Sequence, residues 1–520
     1  MAKGLFKGNL VIAGPGAGKT HNMVDSISQV LPDVKPCRYI VVITYTNSAA
    51  NNIRDRLEKR INLPENLFIG TIHSFLNRFV VIPFASHADD IKHEKLFLQC
   101  SIDNVLEKVK KVKNLSVKDV QAAAKLKARI TTALNTKGYI TYDQTLTIAK
   151  KCFSKIEITR ILGNRIQYLF VDEFQDSGND IFSIIEALRK NGKTQIYCVG
   201  DPEQYIQSYN STIRTFTNIP ILKAAASTGY NVLLNQKNYR STSQIIKFLN
   251  NFNGRLYEGV KFQQIEIQRN TIPPTVREDS SVYFINLNET VIPILDRYYN
   301  ICDRMNISKK NRSIIAKRNE VIKRIIVAVD NHYMNPKSNS SITPMKAIED
   351  TLLSTLQLSK TQFCELHHSN PNALRKYAIK IFKAIQSGII SNENTYGLFL
   401  REQLDLQIKK GLPIKVENLH FDYKNYVDSD VVTVSNIHNM KGLESEAVLV
   451  IAKTQNELLL WLETDHQERE KKRTNELTDY PRLGYVAFSR AKNLLCIACL
   501  EPISTMTEIK LKLLEVQLVN

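Results

Sequence analysis

The sequence predicts an α/β protein with two parallel-sheet cores, each interrupted by a mainly helical insert. Three observations carry this expectation. The N-terminal third alternates short apolar runs with helical stretches: Leu10-Val11-Ile12, Tyr39 to Ile43, Tyr168 to Val171 and Gln195 to Val199 read as buried strands, and Ser48 to Ile61 as a helix. A second β-rich set lies near the C-terminus, at Val431 to Val434, Ala447 to Ile451 and Leu494 to Ala498. Two strand-poor stretches, from about Pro83 to Gln167 and from about Val329 to Tyr426, fall within these sets rather than outside them.

The first strand runs into Ala13-Gly14-Pro15-Gly16-Ala17-Gly18-Lys19-Thr20. A strand, then glycines, then Lys-Thr opening a helix is the phosphate-binding P-loop arrangement. Gly14, Gly16 and Gly18 let backbone N–H groups turn toward one centre, and the helix N-terminus adds its positive dipole end. Lys19 then reaches the β- and γ-phosphates, and the Thr20 hydroxyl holds Mg²⁺. Ala13 stands where the pattern has its first glycine, so a Gly-rich turn is the alternative for this segment taken alone.

Downstream, Val171-Asp172-Glu173-Phe174-Gln175-Asp176 follows a strand. A carboxylate at a strand end is where Mg²⁺ on a P-loop nucleotide needs a ligand, so Asp172 is the candidate metal partner and Glu173 the candidate base. The next strand ends in Gly200-Asp201-Pro202-Glu203-Gln204, where Gln204 is placed to sense the γ-phosphate. Arg240, in Asn238-Tyr239-Arg240-Ser241, and Arg490, in Tyr485 to Lys492, are candidate cations for the transferred phosphoryl group. If both lie on the facing core, ATP binds between the two cores; either arginine alone reads as an ordinary salt-bridge residue.

Composition narrows the partners. The 520 residues are too many for one core. Lys and Arg number 70 against 51 Asp and Glu, a net charge of +19, which points to a polyanion and most simply to nucleic acid. The first helical stretch is strongly basic around Lys108, Lys110, Lys111, Lys113, Lys118, Lys125, Lys127 and Arg129. No long apolar run indicates membrane spanning, and the P-loop leaves no room for a targeting segment, so a cytoplasmic protein is expected. Eight cysteines, most in apolar surroundings, read as reduced thiols. Cys496-Ile497-Ala498-Cys499 reads as core packing rather than a metal site. The Asn331 to Ser341 stretch reads as a hinge or loop, and Glu501 to Asn520 as a terminal helix.

Taken together the segments resemble the superfamily 1 helicases of the UvrD/Rep/PcrA type. The resemblance rests on AGPGAGKT (13–20), TYTNSAANNIRDRL (44–57), GTIHSF (70–75), VDEFQD (171–176), GDPEQ (200–204), NYRS (238–241), IHNMKGLE (437–444) and YVAFSRAK (485–492), in the family order across nearly the whole chain. It implies two RecA-like motor domains: a first core at 1–82 and 168–250 with a basic helical insert at 83–167, and a second at 251–328 and 427–520 with a reduced insert at 329–426. It implies ATP- and Mg²⁺-driven translocation on single-stranded or partly duplex DNA, 3′→5′. By residue match, Lys19 and Thr20 bind phosphate and metal, Asp172 and Glu173 serve as metal ligand and base, and Gln204, Arg240 and Arg490 contact the γ-phosphate. Tyr239 stacks on the base and Glu444 approaches the ribose. Tyr45, Thr46, Asn47, Thr71, His73 and His438 face the DNA strand, and stacking rings suit a sequence-tolerant grip.

The chain departs from the family in several places. The glutamine-bearing segment expected before the P-loop is missing. His21 stands where an arginine is common. The segment after Gln204 has Gln207 in place of the usual aromatic; Tyr209 remains as a stacking platform, and Tyr205 is a candidate substitute. Asn436 replaces a threonine before Ile437-His438 and keeps its hydrogen-bonding capacity. The compact size resembles the helicase-like subunit of Gabija-type antiphage defence systems, which acts beside an OLD-type nuclease. That resemblance implies an alternative: a DNA-sensing regulatory ATPase subunit with weak or no autonomous unwinding.

Overall fold

The computed structural model describes residues 7–88, 97–99, 120–207, 216–267, 281–287, 290–332, 344–366, 373–406, 431–471 and 480–519. The chain divides into two compact units. One comprises Met1–Met305, Ile314–Ile322 and Ser435–Asn520; the other comprises Asn306–Ser313 and Lys323–Val434.

Two six-stranded sheets organise the molecule. In the first, β1 (Gly8–Ala13), β2 (Tyr39–Thr44), β3 (Leu67–Thr71), β4 (Ile166–Val171), β5 (Gln195–Gly200) and β6 (Tyr230–Asn235) lie in the order β3-β2-β4-β5-β1-β6. Their pairings are all parallel. Successive side chains of a strand point to opposite faces. Leu10, Ile12, Val41, Ile43, Leu169 and Val171 accordingly enter one apolar cluster, and Val11, Ala13, Ile40, Val42, Tyr168 and Phe170 another. Both faces are covered, which is why these strands read as continuous apolar runs and not as an alternation.

In the second sheet, β7 (Val282–Ile285), β8 (Arg312–Ala316), β9 (Thr433–Asn436), β10 (Ser445–Ala452), β11 (Ala491–Cys499) and β12 (Gln517–Val519) lie in the order β9-β8-β10-β11-β7-β12. β7 runs parallel to β11 and β12, and β10 parallel to β11. Three corrections to the sequence reading arise here. The strand expected at Val431 to Val434 sits at Thr433–Asn436. The segment after Glu501 is not only a helix: Thr505–Leu513 is helical, and Gln517–Val519 then pairs with β7. Within the expected hinge, Asn331 and His332 belong to the helix Asn319–His332; residues 333–341 lie outside the described residues. Cys496 and Cys499 are buried three residues apart in β11, so their thiols leave opposite faces of the strand. That geometry accounts for the pair as packing. Among the described residues no group of His, Cys, Asp and Glu converges to hold a metal by itself, and no helix is long and apolar enough to cross a membrane.

The stretch between β3 and β4 contains helices Val120–Asn135, Tyr142–Phe153 and Ile156–Arg165, plus a parallel strand pair at Phe97–Gln99 and Tyr139–Thr141. Lys108, Lys110, Lys111, Lys113 and Lys118 lie outside the described residues. The other unit contains helices Pro344–Leu356, Lys360–Leu366, Ala373–Gln386 and Glu393–Glu402. They close over their own core of Ile348, Leu352, Phe363, Ile381, Tyr396 and Leu400.

Candidate nucleotide and nucleic-acid site

The carboxyl ends of the first sheet's strands collect the chemistry, as open α/β sheets do. β1 leads into a loop in which Gly16 and Gly18 have φ of 73° and 71°. Such values favour glycine. Gly18 caps the helix Lys19–Val30. A Cβ on Gly16 would stand 2.5 Å from Asn238 Oδ1 and 2.6 Å from Arg240 Cβ, so glycine is required by space as well. The loop's carbonyls are captured from outside: Asn238 Nδ2 and Gln264 Nε2 donate to Pro15 O at 3.0 and 2.8 Å. Tyr239 N donates to Gly16 O at 2.9 Å, and Asn235 Nδ2 to Ala17 O at 3.0 Å. The Tyr239 ring approaches within 3.8 Å of where a Gly18 Cβ would lie.

Beside this loop, β4 ends in the acidic pair. Asp172 N donates to Ile43 O, and Asp172 Oδ1 accepts from Glu173 N at 2.9 Å. Glu173 is held at φ 48°, an uncommon conformation for a non-glycine residue. Its Oε2 accepts from Gln175 Nε2 at 2.5 Å and lies 3.9 Å from Lys19 Nζ. Burial and the negative charge of Glu173 push the Asp172 carboxyl up. Burial also acts on Glu173, but Lys19, Lys441, the Gln175 hydrogen bond and Arg490 outweigh it and hold its carboxyl down. Two neighbouring carboxylates are thus driven apart, one toward the protonated and one toward the ionised form. By their chemistry alone, the Thr20 hydroxyl and the Asp172 carboxyl offer hard oxygen donors. They suit a cation that also relies on phosphate oxygens and water, as Mg²⁺ does.

Elements next to the second sheet bring cations to the same place. Lys441 pairs with Asp176 Oδ2 and donates to Gln204 O at 3.0 Å. Burial pushes Asp176 up to about 6 despite this partner. Arg490 Nη2 donates to Gln204 Oε1 at 3.3 Å, and its Nε to Val486 O at 2.9 Å. Gln204 Nε2 in turn donates to Asp201 Oδ2 at 2.8 Å. Arg240 instead follows β6 of the first sheet, so of the two arginines only Arg490 comes from beside the second; Arg240 Nη1 donates to Ser489 O at 3.2 Å, and Arg240 Nε lies 2.6 Å from Glu444 Oε2. Glu444 also pairs with Lys492 at 2.7 Å, so its carboxylate bridges two cations. Lys19 thus pairs with Glu173 and Arg490 with Gln204, while Lys441 bonds both Gln204 and Asp176. His21 is exposed and sits 3.5 Å from Asp25 Oδ2, on the outer face of its helix.

The candidate strand-facing residues lie at the ends of β2, β3 and β9. Thr46 and Thr71 cap the helices Asn47–Glu58 and Ile72–Leu76, accepting from Ala49 N at 3.1 Å and Ser74 N at 3.3 Å. Asn436 caps Ile437–Met440 in the same way, accepting from Asn439 N at 2.8 Å. Its side-chain oxygen fills the capping role that a threonine hydroxyl can also take. Tyr45, Asn47, His73 and His438 are exposed. Tyr209 lies outside the described residues. Tyr205 corrects an expectation: it is buried against Phe216, and its hydroxyl donates to Gln207 O at 3.0 Å. A ring so enclosed cannot serve as an exposed stacking platform.

Sequence reasoning missed several participants. Lys441 stood inside a quoted motif without a role. Gln264, Asn250 and Asn235 are isolated amides with no motif around them. Glu203 is buried between Arg469 Nη2, at 2.6 Å, and Arg482 Nε, at 3.6 Å, with the Arg482 guanidinium over the Phe216 ring. Burial acts to raise its carboxyl, but Arg469 and Arg482 outweigh it and bring it to about 2. Only the adjacency of Glu203 to Gln204 hinted at this cluster.

Comparison with known proteins settles the class. Residues 6–210 match the family model of an AAA domain, and residues 408–501 that of the UvrD-like helicase C-terminal domain. Neither model spans half of the chain, and together with the relatives below they support a UvrD-like helicase. By class it is an ATP-hydrolysing DNA helicase, and its two α/β cores are RecA-like. It is 24% identical over 511 residues to the Gabija protein GajB of Bacillus cereus (strain VD045), covering 94% of this chain and 92% of that protein. It is 28% identical over 290 residues to the ATP-dependent DNA helicase Rep of Buchnera aphidicola subsp. Acyrthosiphon pisum, covering 46% of this chain and 42% of Rep. It is also 25% identical over 279 residues to the ATP-dependent DNA helicase PcrA of Staphylococcus aureus (strain Mu50), covering 46% and 37%. The chain thus matches less than half the length of those two helicases and nearly all of the Gabija protein.

Proposed function

We infer that this UvrD-like helicase is an ATP-driven translocase on single-stranded DNA, moving 3′→5′ and hydrolysing ATP between its two RecA-like cores. The cores comprise 1–82 with 168–250, and 251–328 with 427–520, with helical inserts at 83–167 and 329–426. The observation that carries the reading is the contact of Arg490 and Lys441 with Gln204, beside Lys19 and Glu173. A cation from one core reaches the γ-phosphate sensor of the other, so hydrolysis and closure of the cleft are coupled.

In this reading the P-loop amides and Lys19 hold the β- and γ-phosphates, with Gly14, Gly16 and Gly18 allowing the approach. Thr20 and Asp172 hold Mg²⁺, which neutralises phosphate charge when bound. Glu173, kept ionised by the cations around it, accepts the proton of the attacking water. Gln204 senses the γ-phosphate, Arg240 and Arg490 stabilise the charge of the transferring group, Tyr239 stacks on the base and Glu444 approaches the ribose. His21, at the outer edge, borders the nucleotide. Tyr45, Thr46, Asn47, Thr71, His73, Tyr209 and His438 contact the DNA strand.

Phosphate release by the purified chain tests this reading, with ATP alone and then with single-stranded DNA, duplex DNA or single-stranded RNA. Strong stimulation by single-stranded DNA is expected; turnover indifferent to nucleic acid overturns it. A tailed-duplex unwinding assay with 3′ and 5′ overhangs then reads polarity.

A second reading is favoured by the nearly full-length likeness to the Gabija protein. The chain then serves in the cytoplasm as the DNA-sensing ATPase of an antiphage complex with an OLD-type nuclease. Co-purification with such a nuclease, and ATPase activity that requires it, are the expected signs. Highly processive unwinding by the monomer argues against it.

A further inference from the structure

The P-loop is braced by a residue that belongs to no motif. Gln264 follows the hairpin Leu256–Lys261 and is only 3% exposed. Its Nε2 donates to Pro15 O at 2.8 Å, and its Oε1 accepts from Asn238 Nδ2 at 3.4 Å. A Cβ on Gly14 would stand 2.6 Å from the Gln264 amide carbon and nitrogen, so the loop lies directly on that amide. The backbone of Gln264 is itself gripped twice by Asn250: Gln264 N donates to Asn250 Oδ1 at 2.8 Å and Asn250 Nδ2 donates to Gln264 O at 2.9 Å. The next residues pair in parallel with Lys237 and Asn238, immediately before Tyr239.

A trans peptide directs its carbonyl and its N–H to opposite sides. Fixing Pro15 O against Gln264 and Asn238 therefore turns the Gly16 N–H away from them. The bond from Asn235 to Ala17 O does the same for the Gly18 N–H. Asn238 Oδ1 meanwhile accepts from Arg240 N at 2.8 Å and Ser241 N at 3.1 Å, setting the start of the arginine segment. One amide pair thus orients the loop and the arginine together.

We propose that Gln264 is a positioning residue for phosphate binding, holding the P-loop peptides with their N–H groups presented to the β-phosphate. The proposal rests on the nucleotide-site reading given under Proposed function. Gln264 touches no phosphate itself and acts through Pro15.

The test compares the wild-type full chain with Gln264→Met, which keeps the length of the side chain and loses the donor. ADP affinity by calorimetry and the KM for ATP are expected to weaken roughly 3–10-fold, the range for one neutral hydrogen bond. The kcat at saturating ATP stays within about twofold, and affinity for a single-stranded oligonucleotide is unchanged. Asn250→Ala, which loosens Gln264 without altering it, shifts ADP affinity in the same direction by less. It decides the matter alone if Gln264→Met does not fold. Wild-type ADP affinity in the variants overturns the proposal, as does an equal loss of ADP and oligonucleotide affinity, which marks general disruption. A wild-type chain that binds neither ATP nor ADP overturns the nucleotide-site reading instead, before any variant is compared.

Discussion

The two sheets share one strand order, third-second-fourth-fifth-first-sixth in each set of six, yet their strand ends carry opposite chemistry. In the first sheet, β1 opens onto the glycine loop, β4 onto Asp172 and Glu173, and β5 onto Asp201 and Gln204. In the second, the strand equivalent to β1 is β7, which is followed by Asn286, whose N–H donates to Val519 O. The sequence that follows, Asn286 to Thr290, contains no glycine. The second sheet contributes cations instead: Lys441 after β9 and Arg490 just before β11. One scaffold supplies the glycine loop and the carboxylates Asp172 and Glu173, and its counterpart adds the cations Lys441 and Arg490. The fold is common to both, and the loops decide which half does what.

The most severe way to break this division removes a cation from either side. Lys19→Ala is expected to abolish ATP turnover while leaving oligonucleotide binding intact, as measured by phosphate release and fluorescence anisotropy. Wild-type-like turnover would remove the P-loop from the proposed site. Arg490→Ala should lower kcat by roughly 10³, the range for a transition-state arginine, with ADP affinity little changed. If ADP affinity falls as much as kcat, the arginine binds the ground state and the second core has no selective part in hydrolysis.

A stability measurement sharpens the same contrast. Glu203→Gln leaves Arg469 and Arg482 buried without their anion, and a loss of about 3–5 kcal/mol is expected on chemical denaturation. Glu203 ionises at about 2 when folded, against 4.5 as the ordinary value. Its stabilisation is therefore complete above pH 4.5 and is lost as pH falls from there toward 2. The melting temperature of Glu203→Gln should depend less on pH across that window than that of the wild type; an unchanged acid limb would show that Glu203 does not control it. The smallest effect belongs to Glu444→Gln. This half-exposed carboxylate bridges Arg240 and Lys492, so its loss should change stability by about 0.2–1 kcal/mol and less at high salt.

The part of this design that was legible in sequence is the part built from contiguous residues. β1, β2, β4 and β5 announce themselves because burial on both faces demands unbroken apolar runs. The P-loop and the Asp172-Glu173 pair follow those strands directly. β12 escaped because three residues at a sheet edge carry no period. Tyr205 was misjudged because an aromatic beside a motif looks the same in sequence whether it faces solvent or Phe216. Gln264 and the Glu203–Arg469–Arg482 cluster were invisible for another reason. Their partners lie 249 and 266 residues away along the chain, and neutral amides or scattered arginines have no local signature.

The central position of β1 has a consequence for how the protein is made. β1 lies between β5 and β6, so the strand carrying the P-loop has no partner on either side until the chain has grown past Gln195 and then Tyr230. Gln264, Lys441 and Arg490 emerge later still. Because non-local pairing must wait for its partners, a nascent chain emerging from the ribosome carries a P-loop sequence without a formed P-loop. On the proposed reading of the site, turnover that depends on Arg490 would begin only after that residue has been made.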